Sequence, residues 1–301
     1  MRARLILNAD DFGLTRGINR AIAELHAAGA LHSATLMAGG AAFDDAIRIA
    51  QTHPALGVGC HVVLTDGVPV SRPETIRTLL GPDGKSFRSS LRDFFVAALA
   101  GRISEEEIAR EATAQIERIQ RNGVAVTHLD THKHTHILPR VARPLLAVAE
   151  RAGIAAIRNP FEPPWSVALG RSPMLRRLQL RSLRHLRPRF MALPQIQSGS
   201  VVTTEGTLGI SATGQLNATT LRAMLDAMPG GLWEMVCHPG YNDGDLDAIT
   251  TRLRSTREVE RAALLDAFAR TFTEQADVPS HLPRAQLINY RDATRDAMSR
   301  A

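Results

Sequence analysis

Short apolar runs recur along the chain at RLILN (4–8), SATLM (33–37), GVGCHVVL (57–64), VAVTHLDTH (124–132), AAIR (155–158) and WEMVCH (233–238), and their length and composition predict strands. Between them, apolar residues return at spacings of three and four, with Gly or Asn where the spacing stops. Thr15 to Ala28 places Ile18, Ile22 and Leu25 on one helical face before Gly29. Asp44 to His53 reads as a second helix. In Ser104 to Asn122, Ser104 and Glu107 make a capping box and Ile108, Ala112, Ile116 and Ile119 form the buried stripe. Pro139 to Arg151 and Asn217 to Met228 continue the series, and Asp245 to Phe272 reads as a long charged helix or helix pair. The alternation predicts an α/β fold. With no internal repeat and no Gly/Ser-rich linker, residues 1–301 read as a single domain.

Composition narrows the class. The 301 residues can bury a large core. No apolar run approaches the roughly 20 residues of a membrane-spanning helix, and Leu5 to Leu7 is too short for a signal-peptide core, so a cytoplasmic protein is expected. Cys60 and Cys237 suggest no disulfide framework and read as small buried side chains. The net charge of +6 favours anionic partners without choosing among them.

The candidate chemistry begins where RLILN ends, at the adjacent acids Asp10 and Asp11. The C-terminal end of a strand is where α/β sheets place their reacting groups, although paired acids also occur in ordinary turns. His61 interrupts an apolar strand. THLDTHKHTH (127–136) concentrates four histidines and an acid, and in an extended chain His128, Asp130, His132, His134 and His136 would share one face. His238 closes WEMVC just before Pro239 and Gly240 turn the chain. Mixed carboxylate and imidazole donors suit Zn²⁺ or another divalent transition metal, with an open position for a hydrolytic water. The sequence has no GxSxG elbow, GxxxxGK[ST] loop, GxGxxG turn or HExxH helix to support a rival mechanism.

NADDFG, HLDTHKHTH and CHPGY closely resemble the motifs of the YdjC-like carbohydrate deacetylases, with SATLM, LGVGCHVVLTDG and AIRNP in the same order. The resemblance implies an irregular, TIM-barrel-like (β/α) barrel that removes acetyl from an N-acetylated sugar. It implies a divalent metal, Zn²⁺ first and Mg, Co or Ni as alternatives, held by Asp11, His61 and His132. Asp10 would be the general base and His238 the acid, with His134 and His136 as other candidates for that role. Arg158 would orient Asp10, and Asp130 would support a histidine ligand. Thr131 and Lys133 depart from the family pattern, where Ser and His are commoner.

Residues 161–191 form a basic insertion with seven arginines against the single acid Glu162. Leu175, Leu178, Leu183 and Leu186 interleave with Arg176, Arg177, Arg181 and Arg184, as in amphipathic segments that lie on anionic membranes. Without aromatic interleaving, nucleic acid is not expected as a partner. With IRNPFEPPW before it, this stretch resembles the hopanoid-biosynthesis-associated branch of the family (HpnK). That resemblance implies an N-acetylglucosaminyl hopanoid substrate met at the inner face of the cytoplasmic membrane. A deacetylase of soluble chitooligosaccharides such as chitobiose, or a noncatalytic metal- or lipid-binding protein, would carry the same site.

Overall fold

The computed structural model describes residues 3–268 and 285–299. Seven parallel strands form one sheet in the order β4-β3-β2-β1-β6-β5, with β7 also paired to β1. They are β1 (Ala3–Phe12), β2 (Ser33–Leu36), β3 (Gly57–Val62), β4 (Leu129–Thr131), β5 (Thr207–Leu208), β6 (Gly231–Cys237) and β7 (Gln286–Ile288). One edge of β1 meets β6 from Ala3 to Ala9. Its other edge is shared, with Arg4 to Ile6 on β7 and Asn8 to Phe12 on β2.

The sheet curls as a half-barrel flanked by helices. Beyond β4 it continues through the single bridges Leu129↔Ile157 and Ala156↔Val202 rather than through full ladders, so AAIR contributes a bridge where a strand was expected. The helices are α1 (Arg16–Ala27), α2 (Phe43–Thr52), α3 (Leu91–Leu99), α4 (Glu105–Arg121), α5 (Pro139–Arg151) and α6 (Pro164–Leu169). They continue with α7 (Met174–Leu183), α8 (Arg187–Met191), α9 (Pro194–Gln197), α10 (Ala218–Asp226), α11 (Ser255–Phe268) and α12 (Tyr290–Met298).

Local chemistry explains where they start. The backbone N–H of Ile18 donates to Thr15 Oγ1 at 3.2 Å, and Asn217 caps α10 in the same way through Thr220 N. The expected capping box of α4 forms only by half. Ser104 accepts from Glu107 N, but the Glu107 carboxylate accepts from the Thr78 N–H and hydroxyl instead of returning to Ser104. The long C-terminal helix is in fact a 3₁₀ turn (Gly244–Ala248) followed by α11, and residues 269–272 of that expectation lie outside the described residues.

Alternation along β1 divides its side chains. Leu5, Leu7 and Ala9 join the main core under the helices, whereas Ile6 packs with Ala156, Ile288 and Tyr290 on the inner face. Asn8 and Asp10 follow Ile6 inward. Thr35, His61, Asp130 and Glu234 are likewise buried there, so the concave side of the half-barrel is a polar interior. Gly59 makes room for one of its members, since a Cβ at that position would lie 2.5 Å from the His128 ring.

Candidate metal centre

Asp10 and Asp11 occupy an irregularity in β1. Ala9 pairs with Ala34 and Phe12 with Leu36, so three steps on β1 oppose two on β2, and Asp11 takes up the extra residue at φ 65°. A left-handed residue in a bulge turns its side chain away from its neighbour's. Asp10 consequently meets Arg158, while Asp11 meets His61, His132 and Arg257.

The chain after β4 does not stay extended. Residues 132–137 form 3₁₀ turns in which Lys133 and His134 are left-handed, at φ 56° and 54°, so the five residues expected on one face are dispersed. His128 contacts Asn8 Oδ1 at 3.0 Å and stacks on Tyr290 with centroids 3.9 Å apart. His136 is held at Nδ1 by Thr131 Oγ1 and at Nε2 by the Arg158 carbonyl, which occupies both nitrogens. His134 is half-buried beside the site, its Nδ1 enclosed and without a partner among the described residues. Lys133 turns outward to Asp66 at 2.6 Å.

Asp11 Oδ1, His61 Nε2 and His132 Nδ1 do converge. They are separated by 3.8, 3.7 and 3.3 Å. Donors about 2.0–2.2 Å from a tetrahedral zinc ion stand about 3.3–3.6 Å apart, so these three need move only a few tenths of an ångström to share one ion. Their outer contacts fit as well. His61 Nδ1 lies 2.7 Å from Asp130 Oδ1, and Arg257 Nη2 donates to Asp11 Oδ2 at 2.6 Å. A second cluster, Asp10, His61 and Asp130, could also be considered. Arg158 already lies 2.6 Å from each of its carboxylates, so a cation there would have to displace a guanidinium.

Arg158 is buried between three acids. It reaches Asp10, Asp130 and, at 2.7 Å, Glu234, which also accepts from the Tyr290 hydroxyl at 2.5 Å. Burial raises the Asp10 carboxyl, but Arg158, with His61 and His238, outweighs it and leaves Asp10 well below the usual carboxylate range. Asp11 is displaced in the same direction by Arg257 and the surrounding histidines, again against burial. Burial would lower His61, yet Asp130, Asp10 and Asp11 together raise it to about 9. His132 is lowered by burial to about 4, and His136, by burial and Arg158, to about 3.

His238 faces Asp10 across the site, with Nε2 3.9 Å from Asp10 Oδ2. Glu260 fixes the turn behind it by accepting from the His238 N–H at 2.6 Å, and His238 Nδ1 lies 3.9 Å from the same carboxylate. Thr35 Oγ1 ties the walls together by reaching Asp10, His61 and Asp130.

Arg257, Glu260, Glu234, Thr35 and Tyr290 were not singled out from the sequence. Glu234 left a signal, being a charge at an inward position of an apolar strand. Arg257 and Glu260 left none, because α11 is rich in charges and only the fold shows which face is buried.

A family profile described as YdjC-like protein matches residues 4–275. The chain belongs to that family. A carbohydrate deacetylase of Brevibacillus brevis is 40% identical over 162 residues, 54% of this chain and 60% of that protein. The match therefore spans less than two thirds of that relative. A carbohydrate deacetylase of Thermoanaerobacter pseudethanolicus is 26% identical over 87% of this chain and 90% of its own length. The fold is shared with an Enterococcus faecalis V583 protein named for cellobiose-phosphate cleavage, at a TM-score of 0.73 and 23% identity over 97% of this chain and 99% of that one.

Proposed function

We propose that this YdjC-like chain is a metal-dependent N-deacetylase of an N-acetylated sugar. The observation that carries the reading is the triangle of Asp11, His61 and His132 beside Asp10 and His238, which face each other at 3.9 Å. Asp11, His61 and His132 would hold the ion, Zn²⁺ first and Mg, Co or Ni as alternatives. When bound, a divalent cation supplies Lewis acidity to an amide carbonyl and makes water more acidic.

The chain's own groups supply the proton transfers. Asp10, kept anionic by Arg158, takes the proton from the attacking water at Oδ2. His238, on the opposite side, gives a proton to the departing nitrogen as the carbon–nitrogen bond breaks, leaving acetate and a free amine. Asp130 orients His61, and Arg158 fixes Asp10 while holding Asp130 and Glu234. His136 has both nitrogens engaged and is unsuited to the acid role. His134 retains an unpartnered nitrogen and serves on the substrate side.

For the substrate, the finer reading is an N-acetylglucosaminyl hopanoid met at the inner face of the cytoplasmic membrane by an otherwise cytoplasmic protein. Its support is the basic insertion. Soluble chitooligosaccharides such as chitobiose are the second reading, favoured by relatives named carbohydrate deacetylase. Mass spectrometry of each N-acetylated substrate with metal-loaded protein tests both readings. Loss of acetyl that disappears in Asp10→Asn supports the mechanism, and the preferred substrate decides between the sugars. Metal bound without any acetyl lost would leave a noncatalytic binding protein.

A further inference from the structure

The segment after Arg158 leaves the bridge at Ile157 on the end of the sheet where β1, β3 and β6 deliver Asp11, His61 and His238, and it returns at Val202. It is packed onto the flank of the site through Phe190, whose ring centroid is 5.7 Å from Phe161 and 6.4 Å from His136. Between Glu162 and Glu205 the sequence contains no acid.

Within this segment α7 carries apolar residues on its outward side as well as toward the core, where Leu180 and Leu183 are half-buried. An ordinary surface helix turns its apolar stripe toward the core. Here Arg176 of α7 donates to the Ile210 carbonyl at 3.3 Å, and Arg184 and Arg187, which follow the helix, donate to the Glu162 and Glu205 carbonyls at 3.4 and 3.3 Å. Leu183 and Leu186, two of the four leucines of the pattern, pack partly against the core. Met174, Leu175 and Leu178 instead point outward, at 78, 68 and 53% exposure, and no residue of α7 is buried. Their spacing confines them to an arc of about 100°, so they form one ridge.

An apolar ridge set among cations matches the interfacial layer of an anionic bilayer, where acyl chains receive Leu and Met and phosphate headgroups receive Arg. Nucleic acid offers phosphates but no apolar layer. A second copy of the chain would bring like charge against like. We infer that α7 docks the protein on an anionic lipid surface, with Met174, Leu175 and Leu178 entering the interface and the unanchored arginines lying among the headgroups. Its use in presenting a lipid-linked sugar rests on the proposed function, while the docking itself does not.

Co-sedimentation of the full chain with vesicles tests this directly. Binding is expected to phosphatidylcholine containing about one third phosphatidylglycerol, to be at least about tenfold weaker on phosphatidylcholine alone, and to weaken as salt is added. The triple change Met174→Ser, Leu175→Ser and Leu178→Ser is expected to lower partition at least about tenfold, since a buried methylene contributes substantially to membrane binding. Its circular dichroism and its activity on a soluble N-acetylated sugar should be unchanged. Arg181→Glu provides a second, charge-reversing variant with the same expected direction. Absence of binding to the anionic vesicles at low salt, or binding that both variants retain, would overturn the inference. So would a dimer in solution that the triple change dissolves without any vesicle binding. Vesicle binding with no acetyl released from any sugar would keep the docking and discard the deacetylase reading.

Discussion

Arg257 donates to the oxygen of Asp11 that faces away from His61 and His132, at 2.6 Å. The pairing leaves one carboxylate oxygen toward the imidazoles and withholds the other, so Asp11 is arranged to act through a single donor. Replacing Arg257 with Ala is expected to weaken Zn²⁺ binding about 10- to 100-fold, as is typical when a group orienting a ligand is lost. Arg257→Lys should recover part of it. Calorimetric titration of the metal-free protein reads both, and unchanged or tighter binding by the Ala variant would refute the role.

Asp10 and Asp11 should separate in mutation although they are adjacent. Asp10→Asn is expected to keep metal affinity within about threefold of the unchanged protein while turnover falls by about 10²-fold or more, the usual range for loss of a proton-transfer group. Asp11→Asn and His132→Ala should lose metal first. Parallel metal analysis and acetate release measure the split, and full metal retention in His132→Ala would remove it from the ligand set.

Removing Arg158 leaves buried carboxylates facing one another. Arg158→Met is expected to destabilise the fold by about 3–5 kcal/mol, the range for a buried ion pair broken on one side. Urea denaturation provides the number. A loss below about 1 kcal/mol, the level of an exposed pair, would mean that the acids reprotonate or find water without cost.

Lys133 is strained by its left-handed backbone and attached to Asp66 by a half-exposed ion pair. The strain amounts to about 1–2 kcal/mol and such a pair to about 0–1, so strain relief should win. Lys133→Gly is expected to be neutral to slightly stabilising, whereas Lys133→Val should destabilise. Thermal melts of the two variants in opposite order would contradict this.

The metal-free protein should be most stable near neutral pH. The folded His132 and His136, at about 4 and about 3, stay neutral while the unfolded chain takes up protons near 6.5, so stability falls as pH drops from about 6.5 toward those values. His61 acts in the other direction. Raised to about 9, its stabilising charge is fully present below 6.5 and is lost as pH rises through about 9. His61→Gln should flatten the alkaline limb, which melts recorded with chelator present from about pH 5 to about pH 10, a range that spans the unperturbed histidine value and the raised one, would show.

What could be read from the chain was whatever depends on local order. β1, β2, β3, β6 and the helices α1, α2, α4, α5 and α10 follow from apolar spacing and from caps such as Thr15 and Asn217. The candidate residues were legible mainly because THLDTHKHTH is hard to explain as an ordinary surface run, and the fold brings its His132 together with Asp11 and His61. The path after Thr131 was not, since the left-handed Lys133 and His134 violate local preference, with Lys133 held by the distant Asp66 and the turn closed where the His136 N–H donates to Thr131 Oγ1. Neither were Arg257 and Tyr290, whose partners lie 246 and 56 positions away in Asp11 and Glu234.

The divided edge of β1 sets the order in which the molecule can be completed during synthesis. Its upper half can pair with β2 as soon as residue 36 has emerged, but its lower half waits for Gln286 to Ile288. Tyr290 follows immediately, bringing the hydroxyl that satisfies Glu234 and the ring that covers His128. Until then Arg158 and its acids stand over an open floor, and a ribosome-bound chain has Asp11, His61 and His132 in hand before it has the base beneath them. Contacts so distant in sequence are slow to form. The nascent protein should therefore be most open to proteases and holdase chaperones in the interval before its final helix appears.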